Sequence, residues 1–119
     1  MLEKSHKKLH VWQRAIDLVQ NVYEVSAAFP AQELYGLTSQ MRRAAVSVPA
    51  NISEGAARQT KKEFIQFLHM AQGSLSELDT HLEIVSRLNY SSHQSVDKLS
   101  LMVIEVDKML SGLIKSLKP

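Results

Sequence analysis

The chain has 119 residues, 45% apolar and 22% charged, with 4 Gly, 3 Pro and no Cys. That is one domain's worth of helix-forming sequence, and it excludes a multidomain enzyme, a disulfide scaffold, a cysteine-type zinc site, an iron–sulfur cluster and a thiol nucleophile. The formal net charge is +2 overall, but residues 1–14 carry +3, residues 42–62 carry +4 and residues 63–107 carry −5, an asymmetry that concerns surface fields and partners rather than fold.

Met1 to His10 is polar and basic, and residues 1–8 are expected to fray. A first helix is predicted from Val11 to Phe29, with Val11, Trp12, Ala15, Ile16, Val19, Val22, Tyr23 and Ser26 at helical spacing until Pro30 stops the run. After a short connection to Gly36, Leu37, Met41, Ala44, Ala45, Val48 and Ile52 form the stripe of a second helix that ends near Gly55 or Arg58. Pro49 lies inside it; proline removes a backbone donor and crowds the preceding turn, so a kink or a break into two shorter helices is expected there, with Ser47 and Asn51 available to the freed carbonyls.

Thr60-Lys61-Lys62-Glu63 is a capping box, in which the threonine and glutamate side chains each satisfy an orphan amide at the start of a third helix. Phe64, Phe67, Leu68, Ala71, Leu75, Leu78, Leu82, Val85 and Leu88 then step by threes and fours. Gly73-Ser74 within that run reads as a close helix contact or a slight bend. Asn89 to Ser92 is a turn, Ser91 and Gln94 offer a weaker capping box, and Val96, Leu99, Val103, Val106, Leu110, Leu113 and Leu117 repeat the pattern to the end. Four helices with short connections read as an all-α, antiparallel up-and-down four-helix bundle in a single domain over 1–119, helix two kinked at Pro49.

At 100° per residue two further apolar faces emerge. Leu101 and Ile104 point away from the Leu99/Val106 stripe, and Val46, Ala50, Ser53 and Ala57 form a row of small residues opposite Met41 and Ile52. Either Pro49 twists helix two so that both of its stripes are partly core, or a homo-oligomer buries these faces; the second reading is favoured.

Catalytic signals are absent. A di-iron bundle needs two Glu-x-x-His elements, and Glu3-Lys4-Ser5-His6 is the single match. His6/His10 and Glu77/His81 are pairs of possible ligands without a third. No phosphate loop, H-E-x-x-H or G-x-S-x-G occurs; Ser47, Ser53, Ser74 and Ser76 read as packing and capping serines, and His69 as a residue at the edge of the core. The expectation is a non-enzymatic protein without metal or cofactor.

The remaining chemistry is basic. Arg42 and Arg43 on helix two, and Arg58, Lys61 and Lys62 around the start of helix three, are residue types that bind phosphate oxygens, and a helix N-terminus adds a positive dipole end. Arg42 and Arg58 lie about 24 Å apart along a straight helix, so each subunit is expected to present two small patches. Trp12, Phe64 and Phe67 fall on core stripes, which leaves few aromatics for base stacking and predicts backbone-led, weakly sequence-selective binding.

Val11-Trp12-Gln13-Arg14-Ala15, Phe29-Pro30, Glu33-Leu34-Tyr35-Gly36-Leu37, the run Gln40 to Gly55, and Glu63-Phe64 with Gly73-Ser74-Leu75-Ser76-Glu77-Leu78 resemble the bacterial four-helix bundle proteins encoded in intervening sequences of 23S ribosomal RNA genes. The resemblance is close over about residues 9–90 and reaches the fourth helix by pattern; Ser53 stands where that family usually has alanine, a small-for-small change. It implies a four-helix bundle assembled as a homopentamer. It also implies a relation to the accessory protein of diversity-generating retroelements, a basic pentameric barrel that binds nucleic acid and a reverse transcriptase. It implies no settled biochemical function.

Two classes of function stay open. One is an oligomer that binds RNA or RNA/DNA hybrid through Arg42, Arg43, Arg58, Lys61 and Lys62. The other is a protein-interaction scaffold or accessory subunit whose basic patches meet an acidic protein or keep it soluble. In both, the chain is expected to be cytoplasmic and to have no membrane contact, because no run approaches the ~18–20 apolar residues of a span.

Overall fold

In the computed structural model, which describes residues 1–119, the helices begin and end where the local chemistry dictates. The elements are a 3-10 turn at Ser5–Lys8, α1 (His10–Ser26), a second 3-10 turn at Ala31–Glu33, α2 (Leu37–Ala56), α3 (Lys61–Arg87) and α4 (His93–Leu117). There is no strand.

The start of α3 is the clearest local case. Thr60 Oγ1 accepts a hydrogen bond from the Glu63 amide at 3.1 Å, as a capping threonine should. Glu63, however, receives the Thr60 hydroxyl at 3.0 Å instead of reaching back to an amide, so the box is closed between side chains. At α4 the cap is Ser92, one residue later than the Ser91 expected from sequence; its hydroxyl accepts from the Ser95 amide at 3.1 Å. The α3–α4 turn explains the shift. Asn89 adopts φ 55°, the Asn89 amide bonds Ser86 O and the Tyr90 amide bonds Val85 O, a Schellman termination in which asparagine tolerates the left-handed residue.

Each helix packs against two others, α1 and α3 both lying against α2 and α4. The core is built from Leu18 of α1, Met41, Val48 and Ile52 of α2, Leu68, Leu75, Leu78 and Leu82 of α3, and Leu99 and Leu110 of α4, all essentially inaccessible. Burying each such side chain contributes about 1.5–3 kcal/mol before entropy is counted. Tyr90 ties the two loops at one end together: its ring lies 5.9 Å from Phe29 and its hydroxyl donates to Glu33 at 2.8 Å.

Several expectations change. The core stripe of α1 is Val11, Ala15, Leu18, Val22 and Ser26, while Ile16 and Tyr23 are exposed and Trp12 and Val19 half-buried; the inward face is rotated by about one residue from the one anticipated. Ser5–Lys8 is a 3-10 turn packed on α1 and α2 instead of a frayed end, with His6 edge-on to Trp12 at 5.4 Å. Helix α2 runs unbroken through Pro49, so the chain does not divide into two shorter helices there. Asn51 donates to Ser47 O and Ser47 to Arg43 O; neither side chain is directed at Ala45 O, the carbonyl whose i+4 donor Pro49 removes. Gly73 has open space around it, so it is not a close contact. The close contact is Gly55, where an added Cβ would lie 2.7 Å from Phe67 Cβ and 2.9 Å from Phe64 Cδ1. Only glycine lets the end of α2 approach the start of α3 this closely.

Candidate nucleic-acid interface

That close approach positions the first group of cations. Arg58, just past the end of α2, is paired with Glu54 at 2.6 Å and lies over the Phe67 ring with 4.7 Å to its centroid. Its charge is therefore shared with its own helix, and the guanidinium is held in place by stacking. Lys61 and Lys62 are different. They occupy the exposed first turn of α3, have no carboxylate within ion-pair distance, and line a concavity of about 500 Å³ with Ile65, Leu117, Lys118 and Pro119. The end of α4 thus contributes a third lysine, Lys118, which sequence spacing alone had not connected to the start of α3.

The second group divides in the same way. Arg42 Nε donates to Ser26 Oγ at 2.8 Å, and its guanidinium sits 4.5 Å above the Tyr23 ring. It clamps α1 to α2. Arg43 is exposed, makes no ion pair, and lines two concavities, one with Gln40, Ser47 and Glu77 and the other with Tyr23, Leu34, Tyr35, Thr38, Ser39 and Arg42. Of the five basic residues picked out from sequence, three (Arg43, Lys61, Lys62) are free and two (Arg42, Arg58) are engaged within the chain. Arg42 in the unbroken α2 and Arg58 two residues past its end are 16 positions apart, which keeps the groups about 24 Å apart.

The second apolar faces are where the periodicity put them. Val46, Ala50 and Ala57 are exposed and Ser53 half-buried, its hydroxyl donating to Pro49 O and Ala50 O. Leu101 is 67% and Ile104 50% exposed. Leu101 flanks an α1–α4 groove with Asp17, Glu24, Lys98 and Glu105, where Arg14 bonds both Asp17 and Glu105. Those hydrogen bonds, the one to Glu105 foremost, raise the Arg14 pKa further above its usual range.

Among the residues weighed for chemistry, no group of three or more His, Asp or Glu is placed to hold a metal ion. His69 is exposed instead of edging the core. His81 is the buried histidine: Nδ1 has no partner and Nε2 lies 3.9 Å from Glu77. Burial pushes its pKa below the usual imidazole range, partly opposed by the Glu77 charge.

Comparison with known proteins agrees with this architecture. Residues 7–112 match the family described as 23S rRNA-intervening sequence protein. The chain belongs to this family. Its fold is similar to the crystal structure of a protein of unknown function from the S23 ribosomal protein family of Bacteroides thetaiotaomicron, with a TM-score of 0.82 and 23% identity over 88% of this chain and 98% of that one. No curated protein matches the sequence significantly. No helix of this family member is long and apolar enough to cross a membrane.

Proposed function

We propose that this 23S rRNA-intervening sequence protein is a non-enzymatic, cytoplasmic homo-oligomer that binds RNA or RNA/DNA hybrid through phosphate-directed cations. The observation that carries the reading is the convergence of Lys61, Lys62 and Lys118, none with a carboxylate partner, around one concavity at the first turn of a 27-residue helix. Unpaired lysines and a helix dipole both favour phosphate there. In an antiparallel up-and-down bundle with α2 bent at Pro49, the same end also receives Lys4, Lys7 and Lys8 of the N-terminal turn and Lys115 of α4. Residues 1–8, 54–63 and 115–119 together hold eight lysines and arginines against three glutamates.

Oligomerisation supplies the multiplicity that a few cations per chain lack. The α2 face of Val46, Ala50, Ser53 and Ala57 is small and follows Arg42 and Arg43 along the chain, whereas Leu101 on α4 is set among Asp17, Glu24 and Glu105 with Arg14 and Lys98, a groove of slight negative excess. Complementary size and the slight negative excess around Leu101 favour a head-to-tail contact between α2 of one subunit and α4 of the next, with Ile104 beside it, and such heterologous contacts make a ring where the rotation between subunits closes. Five copies is the number the family resemblance implies. Avidity across a ring raises affinity by about 10²–10⁴ without new contacts.

The test is fluorescence anisotropy with a labelled structured RNA and a labelled RNA/DNA hybrid at low salt, comparing the native chain with Lys61→Glu/Lys62→Glu. The reading expects binding that the double reversal abolishes while helical content stays intact. Retention of neither ligand by the native oligomer favours the second reading, a scaffold or accessory subunit for an acidic protein, a reverse transcriptase by family analogy; the unpaired, exposed Arg43, Lys61 and Lys62 are the observation behind it.

A further inference from the structure

Tyr35 sits in the loop before α2 and is 94% exposed, an unusual position for an aromatic ring that no neighbour covers. It lines a concavity of about 300 Å³ with Tyr23, Leu34, Thr38, Ser39, Arg42 and Arg43, and no carboxylate is among the lining residues. Two aromatic rings and two guanidinium groups therefore surround one small hollow. Arg42 is spent on holding Tyr23, with 4.5 Å from its guanidinium carbon to the ring centroid and a 2.8 Å hydrogen bond to Ser26, which fixes one wall. Arg43 has no ion-pair partner, and the buried Thr38 and half-buried Ser39 of the first turn of α2 complete the lining.

We infer that this hollow is a nucleobase-stacking subsite for single-stranded RNA, in which one unpaired base stacks on Tyr35 and the adjoining phosphate is held by Arg43. The inference rests on the nucleic-acid reading and narrows it. A flat π-face exposed beside cations accepts any base, and that is how single strands are held without sequence readout. A duplex cannot use the site, because its bases are already stacked inside the helix. The volume, at the lower end of small-ligand clefts, matches one nucleotide and not a helical groove. The site lies on the Arg43 side of α2, remote from the lysines at the start of α3, so the two act on different parts of a bound RNA: a structured segment at the lysine end and an unpaired nucleotide at Tyr35.

The sequence hides this site because an aromatic residue in a loop between two helical stripes shows no periodicity, and Tyr23 falls at the apolar spacing of α1. The structure turns both rings outward beside the arginines.

The experiment measures affinity for a 20-nucleotide oligouridine RNA and for a 20-base-pair RNA/DNA hybrid, across a salt series, with oligomer mass followed by light scattering. Tyr35→Ala is expected to weaken oligouridine binding roughly 5- to 100-fold, the stacking of one base on one ring removed. It should leave hybrid affinity, oligomer mass and the salt slope unchanged, and Tyr35→Phe should keep the native affinity. Arg43→Gln should instead make the oligouridine salt slope shallower by about 0.7 for each subunit whose hollow the strand occupies. Native-level oligouridine binding in Tyr35→Ala, or equal losses on oligouridine and hybrid, overturns the subsite and leaves the general nucleic-acid reading standing. Loss of binding accompanied by loss of oligomer mass shows that Tyr35 serves assembly and also overturns it. If the native oligomer binds neither ligand, both readings fall.

Discussion

Gly55→Ala sets two opposing quantities against each other at the junction that positions the basic end. In an open helix the change is favourable by about 1 kcal/mol, because alanine has less backbone freedom to lose. At Gly55 the new methyl would meet Phe67 Cβ at 2.7 Å, Phe64 Cδ1 at 2.9 Å and Phe64 O at 3.2 Å. Two of these are a backbone oxygen and a Cβ that cannot swing away, so α2 and α3 must separate, and overpacking of this kind costs about 1–3 kcal/mol. With the contacts this short the cost belongs at the upper end, leaving a net loss of about 1–2 kcal/mol. Gly73→Ala is the internal control: it sits inside α3 with nothing within 4 Å of the added methyl, and it should gain about 0.5–1 kcal/mol. At about 4 °C per kcal/mol for a chain of this size, the two melting temperatures should differ by roughly 6–12 °C in opposite directions from the native value. The assay is thermal and urea unfolding followed by circular dichroism at one fixed subunit concentration, since assembly makes both depend on concentration. If Gly55→Ala stabilises as much as Gly73→Ala, the close approach of α2 and α3 is wrong, and with it the placement of Arg58 over Phe67.

His81 binds protons less readily folded than unfolded, so the unfolded chain carries the excess proton and stability should fall as pH drops from about 7 through the unfolded imidazole range. His81→Leu should flatten that slope and, by removing a buried nitrogen without a partner, raise the urea midpoint at pH 7. Tyr90→Phe should lower the urea midpoint at pH 7 by deleting the hydrogen bond to Glu33. Because that bond raises the phenol's pKa, the native chain should keep the contribution below the usual phenol range and lose it as pH rises through the elevated folded value, a loss absent from Tyr90→Phe in alkaline unfolding curves. Ala50→Glu should dissociate the oligomer in light scattering while preserving helical content; a folded oligomer of native mass would show that this α2 face is free.

Most of the helix plan was legible because its signals are local. The Thr60 cap, the stop at Pro30 and the repeat from Leu68 to Val85 each need only a few neighbouring residues. The core face of α1 was less clear, since Trp12, Ile16, Val19 and Tyr23 are as apolar as Val11, Ala15, Leu18 and Val22, and only the packing against α2 and α4 chooses between adjacent stripes. Glycines behaved the same way: Gly55 and Gly73 look alike in a helix until the neighbouring phenylalanines are placed. For the candidate site, sequence found the cations but could not tell free from engaged. Arg42 is held by Tyr23 and Ser26 from another helix and Arg58 by Phe67 across a loop, while Lys118, 56 positions from Lys62, joins the cluster only through the fold.

The central claim, multivalent phosphate binding by an assembled basic protein, is tested most directly by the dependence of affinity for a structured RNA on salt. Each phosphate neutralised contributes about −0.7 to −0.9 to the slope of log affinity against log salt concentration, so an oligomer touching six or more phosphates should give a slope steeper than about −4, shallower by several units in Lys61→Gln/Lys62→Gln because the loss repeats in every subunit. A slope near zero, or one that the double substitution leaves unchanged, would contradict the account.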